Sequence, residues 1–293
     1  MTIHTEQQNE MSIRAPLDEY FIRLNMLHGL GFHLGVQLNW FSEDVRHRIE
    51  RGEITTEHLF AGTSLPIRDL TEWPSHGWAV CYASGGFDTS GDEFLALASD
   101  LVQREGAWTI SQAFEAFETF VMDTLAAAHL QFPNLVDQKE LSRKEPELLK
   151  ARLAPTDLNY WKQFVRSTYR NAESALKAIR RVTPHLEEAE LQNNRVLNLQ
   201  DWLRAVTEVR HAVVHSNQLV RNRRLTPLSN SERNMLYASF GGVQRTDGYA
   251  LGVSQKQVDT AMTTFAEYGY ALYKSICIHT GKDWKIFQNQ GTQ

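Results

Sequence analysis

The sequence predicts a mainly α-helical protein: a helical bundle with a small β-hairpin, preceded by an N-terminal α or α+β region. Three observations carry this. Long stretches in the C-terminal two thirds place apolar residues at helical spacing. Pro133 and Pro184 interrupt those stretches. One Gly-rich segment with β-formers, Leu236 to Val253, turns near Thr246-Asp247-Gly248.

Taken in chain order, the first hundred residues mix helical-looking pieces with turn clusters such as Tyr82-Ala-Ser-Gly-Gly-Phe-Asp88. Leu24 to Ser42 contains no Asp, Glu, Lys or Arg but holds two His, two Asn, a Gln and three Gly. That is too polar for a membrane span and reads as a buried or interfacial element. Trp40, Trp73 and Trp78 are expected in the core, and His28 and His33 are expected to be structural. Ser90-Gly-Asp-Glu93 fits a capping box ahead of a helix from Phe94 to Gln103. Arg104-Glu105-Gly106 is a polar break, so the expected organisation is an N-terminal region of residues 1–104, a helical domain of 105–280 and a tail of 281–293.

From Trp108 to Leu130, Ile110, Phe114, Phe117, Val121 and Leu125 form one helix face, and Pro133 stops it. Leu158 to Ile179 reads as a further helix with Lys162, Arg166 and Arg170 along an outer face. Leu197 to Val214 carries Trp202, Val206, Val209 and Val213 on one stripe. Ser254, with Gln257 at the capping-box position, opens a last helix running to about His279.

Composition excludes several classes. At 42% hydrophobic and 22% charged, the 293 residues can bury a core, which rules out wholesale disorder. Two cysteines, Cys81 and Cys277, rule out a disulfide scaffold or thiolate-rich zinc ribbon and suit a reducing cytoplasm. The first twenty residues lack the basic and apolar regions of a secretory signal. The net charge of −5 is unevenly spread: residues 139–224 hold 17 basic and 10 acidic side chains, +7, and the remainder holds 13 and 25, −12. The +7 segment reads as a solvated set of helix faces or as a local footprint for a polyanion.

Chemistry concentrates in Glu208-Val-Arg-His-Ala-Val-Val-His-Ser-Asn217. Three readings compete. His211 and His215 share a helix face with Glu208 one turn earlier, a spacing that admits zinc. The internal glutamate of H-E-x-x-H is missing, however, and no cysteine is near. Alternatively the segment is structural, with Arg210 pairing a neighbouring carboxylate and His215 marking the helix end.

The third reading is a resemblance. Arg210-His211-Ala-Val-Val-His215-Ser-Asn217 resembles the Arg-x4–6-His signature of the HEPN superfamily. The bare spacing also fits Arg23/His28, Arg51/His58, Arg180/His185 and Arg204/His211; context singles out Arg210/His215. That pair ends a long amphipathic helix. An earlier helix carries Ala113-Phe-Glu-Ala-Phe-Glu118, similar to the first helix of prokaryotic HEPN families, and a hairpin and a final helix follow. The resemblance covers about residues 107–280.

It implies a homodimeric, metal-independent endoribonuclease in a bacterial defence or toxin–antitoxin setting. Arg210 would contact the scissile phosphate, His215 would handle the proton, and His211 would stand beside the arginine. The implied partners are RNA, a second copy, and an antitoxin or regulatory protein. No cofactor, metal or membrane is implied. Arg221, Arg223 and Arg224 lie where they would hold flanking phosphates. The alternative is a non-catalytic HEPN module that binds RNA or a protein. His215-Ser-Asn217 lacks the His-x-Tyr ending of some HEPN toxins, so nucleotidylation of a tyrosine is not expected.

On a regular helix, residues five apart point about 140° away from each other. Arg210 and His215 therefore converge only if the helix distorts after Val214 or if two chains meet across a twofold axis.

Overall fold

The computed structural model describes residues 13–57, 60–61, 66–67, 80–81 and 88–286. These residues fall into two compact units, one drawn from Met1–Gly31 and Gly106–Gln293, the other from Phe32–Glu105. The protein is mainly helical with a small antiparallel sheet of three strands. Among the described residues, no helix is long and apolar enough to cross a membrane.

The elements run α1 (Ala15–Glu50), β1 (Phe60–Ala61), β2 (Pro66–Ile67), β3 (Val80–Cys81), β4 (Asp88–Thr89), α2 (Gly91–Gln131), α3 (Gln138–Lys150), α4 (Leu158–Thr168), α5 (Ala172–Val182), α6 (Pro184–Leu191) and α7 (Leu199–His215). They continue as β5 (Leu219–Arg221), α8 (Asn222–Leu225), α9 (Asn230–Phe240), β6 (Gly242–Arg245), β7 (Gly248–Leu251) and α10 (Gln255–Thr280).

In the smaller unit, β1 pairs with β4 and β2 with β3, both antiparallel. The capping box read from the sequence forms at the start of α2: the Ser90 amide donates to Glu93 Oε2 at 3.0 Å and the Glu93 amide to Ser90 Oγ at 3.3 Å. The Ser90 amide, and then the Ser90 hydroxyl, which also donates to Glu93 Oε2 at 2.9 Å, hold the Glu93 carboxyl below its ordinary range.

Several expectations are corrected here. Of the two readings of Leu24 to Ser42, buried or interfacial, the buried one is corrected: the segment is part of the 36-residue α1, and only Leu24 among its large apolar side chains is in the core. Trp40 is 72% exposed and is not a core residue. Trp73, Trp78 and most of the Tyr82–Asp88 turn lie outside the described residues. The boundary read at Arg104-Glu105-Gly106 is different: the two compact units divide at Glu105/Gly106, although α2 itself runs unbroken through it for 41 residues, about 60 Å. Gly106 signals close approach rather than a turn. A Cβ there would stand 3.1 Å from the Val253 carbonyl oxygen and 3.1 Å from Val258 Cγ2.

The core of the larger unit is an aromatic cluster between α1, α2, α7 and α10. Tyr20 stacks on Phe120 at 4.6 Å, Trp202 meets Phe265 edge-on at 4.8 Å, and Phe117 lies 4.9 Å from Tyr268. The predicted stripe on α7 supplies its side: Trp202, Val206 and Val209 are buried, with Val213 partly so. Pro133 stops α2, and Pro184 does not merely break the chain but opens α6 at its first position.

The single helix expected from Leu158 to Ile179 is two. α4 ends at Thr168, and Asn171 with Ser174 forms a capping box that starts α5. Lys162 turns inward to Asp123 at 3.0 Å, and Arg170 lies in the connection. The hairpin forms, but Leu236 belongs to α9, and a third strand, β5, pairs with β7. The last helix keeps its Ser254/Gln257 box.

Candidate functional site

The conspicuous segment ends α7. Asn198 caps the helix by accepting from the amides of Gln200 and Asp201. The helix stays α-helical to His215, and the amides of Ser216 and Gln218 both return to the Ala212 carbonyl. Asn217 and Gln218 then take left-handed φ of 47° and 65°, which turns the chain sharply into β5. Within one chain, the distortion that would bring Arg210 and His215 together does not occur.

Arg210 leaves one face of α7. Its Nη2 stands 3.5 Å from Glu115 Oε1, its guanidinium carbon lies 5.7 Å from the centre of the Phe114 ring, and its Nε is buried with no partner. Both neighbours come from Ala113–Glu118 of α2; in the same segment, Glu118 accepts from the Ala172 amide at the start of α5. Arg210 lines a cleft of about 450 Å³ in which four cations, Lys177, Arg180, Arg204 and Arg210, face four acids, Glu118, Glu173, Asp201 and Glu232. The balance is not that of a polyanion groove.

His211 and His215 leave another face, their ring centres 4.9 Å apart. Arg221 and Arg223 are exposed at this end of α7, as is His215 itself. His211 is held below the ordinary histidine range by partial burial and then by the nearby positive charges of Arg224, His215 and Arg223, with Glu208 acting in the opposite direction.

Arg224 has a different task from the other basic residues. Its Nε and Nη2 close on Glu208 Oε2 and Oε1 at 2.7 and 2.8 Å. Glu208 is buried, so this fork neutralises an interior carboxylate instead of standing free for phosphate. It also removes Glu208 from the face that the zinc spacing required. Among the described residues, no group of three or more His, Cys, Asp or Glu is arranged to hold a metal ion.

The structure thus gathers His211, His215, Arg223 and Arg224, leaves Arg221 exposed nearby in the chain, and sets Arg210 apart in the cleft. Sequence reasoning missed Phe114 and Glu115 as the holders of Arg210, 96 and 95 residues upstream. The zinc spacing it weighed counted Glu208 as a ligand, whereas Arg224 is its partner. No local pattern announces either pairing. No family model, curated protein or solved structure matches the chain.

Proposed function

We propose that this chain is a HEPN-like, metal-independent endoribonuclease that acts as a homodimer. The observation that carries the reading is the imidazole pair, half-buried His211 and exposed His215 at 4.9 Å, at a cationic end of α7. RNA brings its own nucleophile, so the protein need only orient it, move protons and stabilise charge. The 2′-hydroxyl oxygen attacks the adjacent phosphorus and the bond to the 5′-oxygen breaks, leaving a 2′,3′-cyclic phosphate and a 5′-hydroxyl. The nucleophile loses one proton and the leaving oxygen gains one.

In this reading His215 handles the proton at the reacting phosphate, and His211, disposed to the neutral form, is the adjacent acceptor. A guanidinium grips phosphate oxygens bidentately and stays charged throughout. Arg210 of the same chain points elsewhere, so the second copy supplies it, with a twofold axis setting each Arg210 against the other chain's His215. The placing in a defence or toxin–antitoxin system, with an antitoxin or regulatory partner, rests on family analogy alone.

A second reading is a non-catalytic HEPN module that binds RNA or a protein. The contact of Arg210 with Glu115 in a charge-balanced cleft favours it. The test is incubation of end-labelled mixed-sequence RNA with purified protein in excess EDTA, beside the Arg210→Ala/His215→Ala double variant. Fragments with cyclic-phosphate ends from wild type alone are expected. Retained RNA without new ends supports the second reading, and equal cleavage by the double variant removes the first.

A further inference from the structure

Where α2, α4, α5 and α10 meet, the larger unit buries an imidazole with nothing to bond to. His129 is 2% exposed, and among the described residues neither Nδ1 nor Nε2 has a hydrogen-bond partner. A neutral imidazole carries one donor and one acceptor, and native interiors rarely leave both unsatisfied. Its neighbours cannot serve. Trp161 and Phe164 present rings at 5.8 and 5.9 Å, and the Trp161 indole N–H already donates to the Pro155 carbonyl at 2.8 Å. Burial pushes His129 down to about 4, so near neutral pH the ring is uncharged and offers both functions.

The ring lines a cavity of about 30 Å³, room for one group the size of a water. Most of the other walls are apolar; of the polar residues that also line it, Thr183 already donates its hydroxyl to the Ser275 carbonyl at 3.1 Å, and Tyr169 and the exposed His279 complete the set. Beyond lies a cleft of about 530 Å³. Leu135, Tyr169, Ala178 and Val182 wall both spaces, so only side chains common to the two divide them.

The cleft carries three cations, Arg143, Lys177 and Arg181, beside two acids, Asp137 and Glu140. Arg143 is paired with Glu140, and Lys177 with Glu173 at 2.8 Å, while Arg181 has no carboxylate within 4.0 Å among the described residues. Thr168 Oγ1, a further polar atom of the cleft, also lacks a partner. An open cleft with an available guanidinium, apolar side chains that line both spaces and an unsatisfied donor–acceptor pair in the smaller one define a ligand by its chemistry.

We propose that this cleft and the cavity behind it form a binding site for a small aryl carboxylate with a hydroxyl on the far edge of its ring. The carboxylate faces Arg181, the ring occupies the neck between Leu135, Tyr169 and Val182, and the hydroxyl enters the cavity to satisfy His129. A hydroxyl is the smallest group that both donates and accepts, which is what the neutral imidazole requires. The site is separate from the end of α7 and does not depend on the RNA reading.

Calorimetric titration of the full chain with 3-(4-hydroxyphenyl)propionate and with 3-phenylpropionate tests it. The hydroxylated acid should bind wild type about tenfold more tightly than its deoxy counterpart, the scale of one buried hydrogen bond. His129→Leu should abolish that preference. Arg181→Ala, a change at an exposed residue, should weaken both acids by a similar factor. Equal affinity for the two acids in wild type, or no binding at millimolar concentration, overturns the proposal and leaves the cavity to an ordered water only. The comparison of the two acids on wild type decides the matter even where His129→Leu fails to fold.

Discussion

Replacing His215 by alanine is expected to lower the rate of RNA cleavage by about 10²–10⁴-fold, the usual contribution of a positioned proton-transfer group. That corresponds to roughly 3–5 kcal/mol of lost transition-state stabilisation. The fold should be unaffected, because the side chain is exposed at the last position of α7 and fills no part of the core. RNA affinity should also hold to within a few-fold, since Arg221 and Arg223 remain. Initial rates against RNA concentration check both at once, with the loss expected in kcat and little change in KM. His211→Ala should cost less, because its role is to accept beside His215. A variant that loses RNA binding and cleavage in proportion would point to a phosphate contact, not a proton carrier.

Arg180→Met is expected to destabilise the larger unit by about 3–5 kcal/mol, the cost of stranding a buried charge. Glu190 has no exposed surface at all, and Arg180 meets it with Nε and Nη2 at 2.6 and 2.8 Å. Gln200 donates to the same carboxylate at 2.9 Å, and the buried Tyr268 hydroxyl bonds it from the other side. Burial, and then the adjacent Glu190 carboxylate, raise the Tyr268 phenol well above its ordinary value, so it stays protonated and donates. The four residues lie on α5, α6, α7 and α10, so the network pins the helix that carries Arg210 and His215. Methionine keeps most of the volume of the arginine stem but leaves the carboxylate unpaired. Thermal unfolding should show a drop on the order of 10 °C. The Arg180→Met/Glu190→Leu double variant should recover much of it, since an interior without the charge needs no partner for it.

Elements governed by local rules were legible in the sequence. The Ser90/Glu93 and Ser254/Gln257 boxes form because cap and N3 residue are three apart and need nothing distant. The stripe on α7 and the hairpin around Thr246-Asp247 likewise follow from spacing and turn chemistry. What escaped was set by contacts far along the chain. That α2 continues through the boundary at Glu105/Gly106 was hidden, because the missing side chain of Gly106 was weighed without Val253 and Val258, some 150 residues on, which require the close approach. The periodicity of Lys162, Arg166 and Arg170 concealed the end of α4, although Asn171 and Ser174 held the signal for a new helix. α3, α6 and α9 went unread, being short and rich in polar residues. At the site, the 140° divergence of Arg210 and His215 followed from helix geometry alone. The company of each did not, since Glu115 and Phe114 come from α2 and Arg224 returns to Glu208 through the turn at Asn217 and Gln218.

Mixing two inactive proteins tests the central claim, that Arg210 and His215 act together across two chains. Arg210→Ala and His215→Ala are purified separately, unfolded and refolded together, and assayed on end-labelled RNA in EDTA beside wild type. A twofold composite site predicts that each is inactive alone. At random pairing half of the dimers are mixed and each of these carries one intact site of two, giving about a quarter of the wild-type rate. A mixture no more active than its parts, beside an active wild type, would place the chemistry within a single chain and contradict the account.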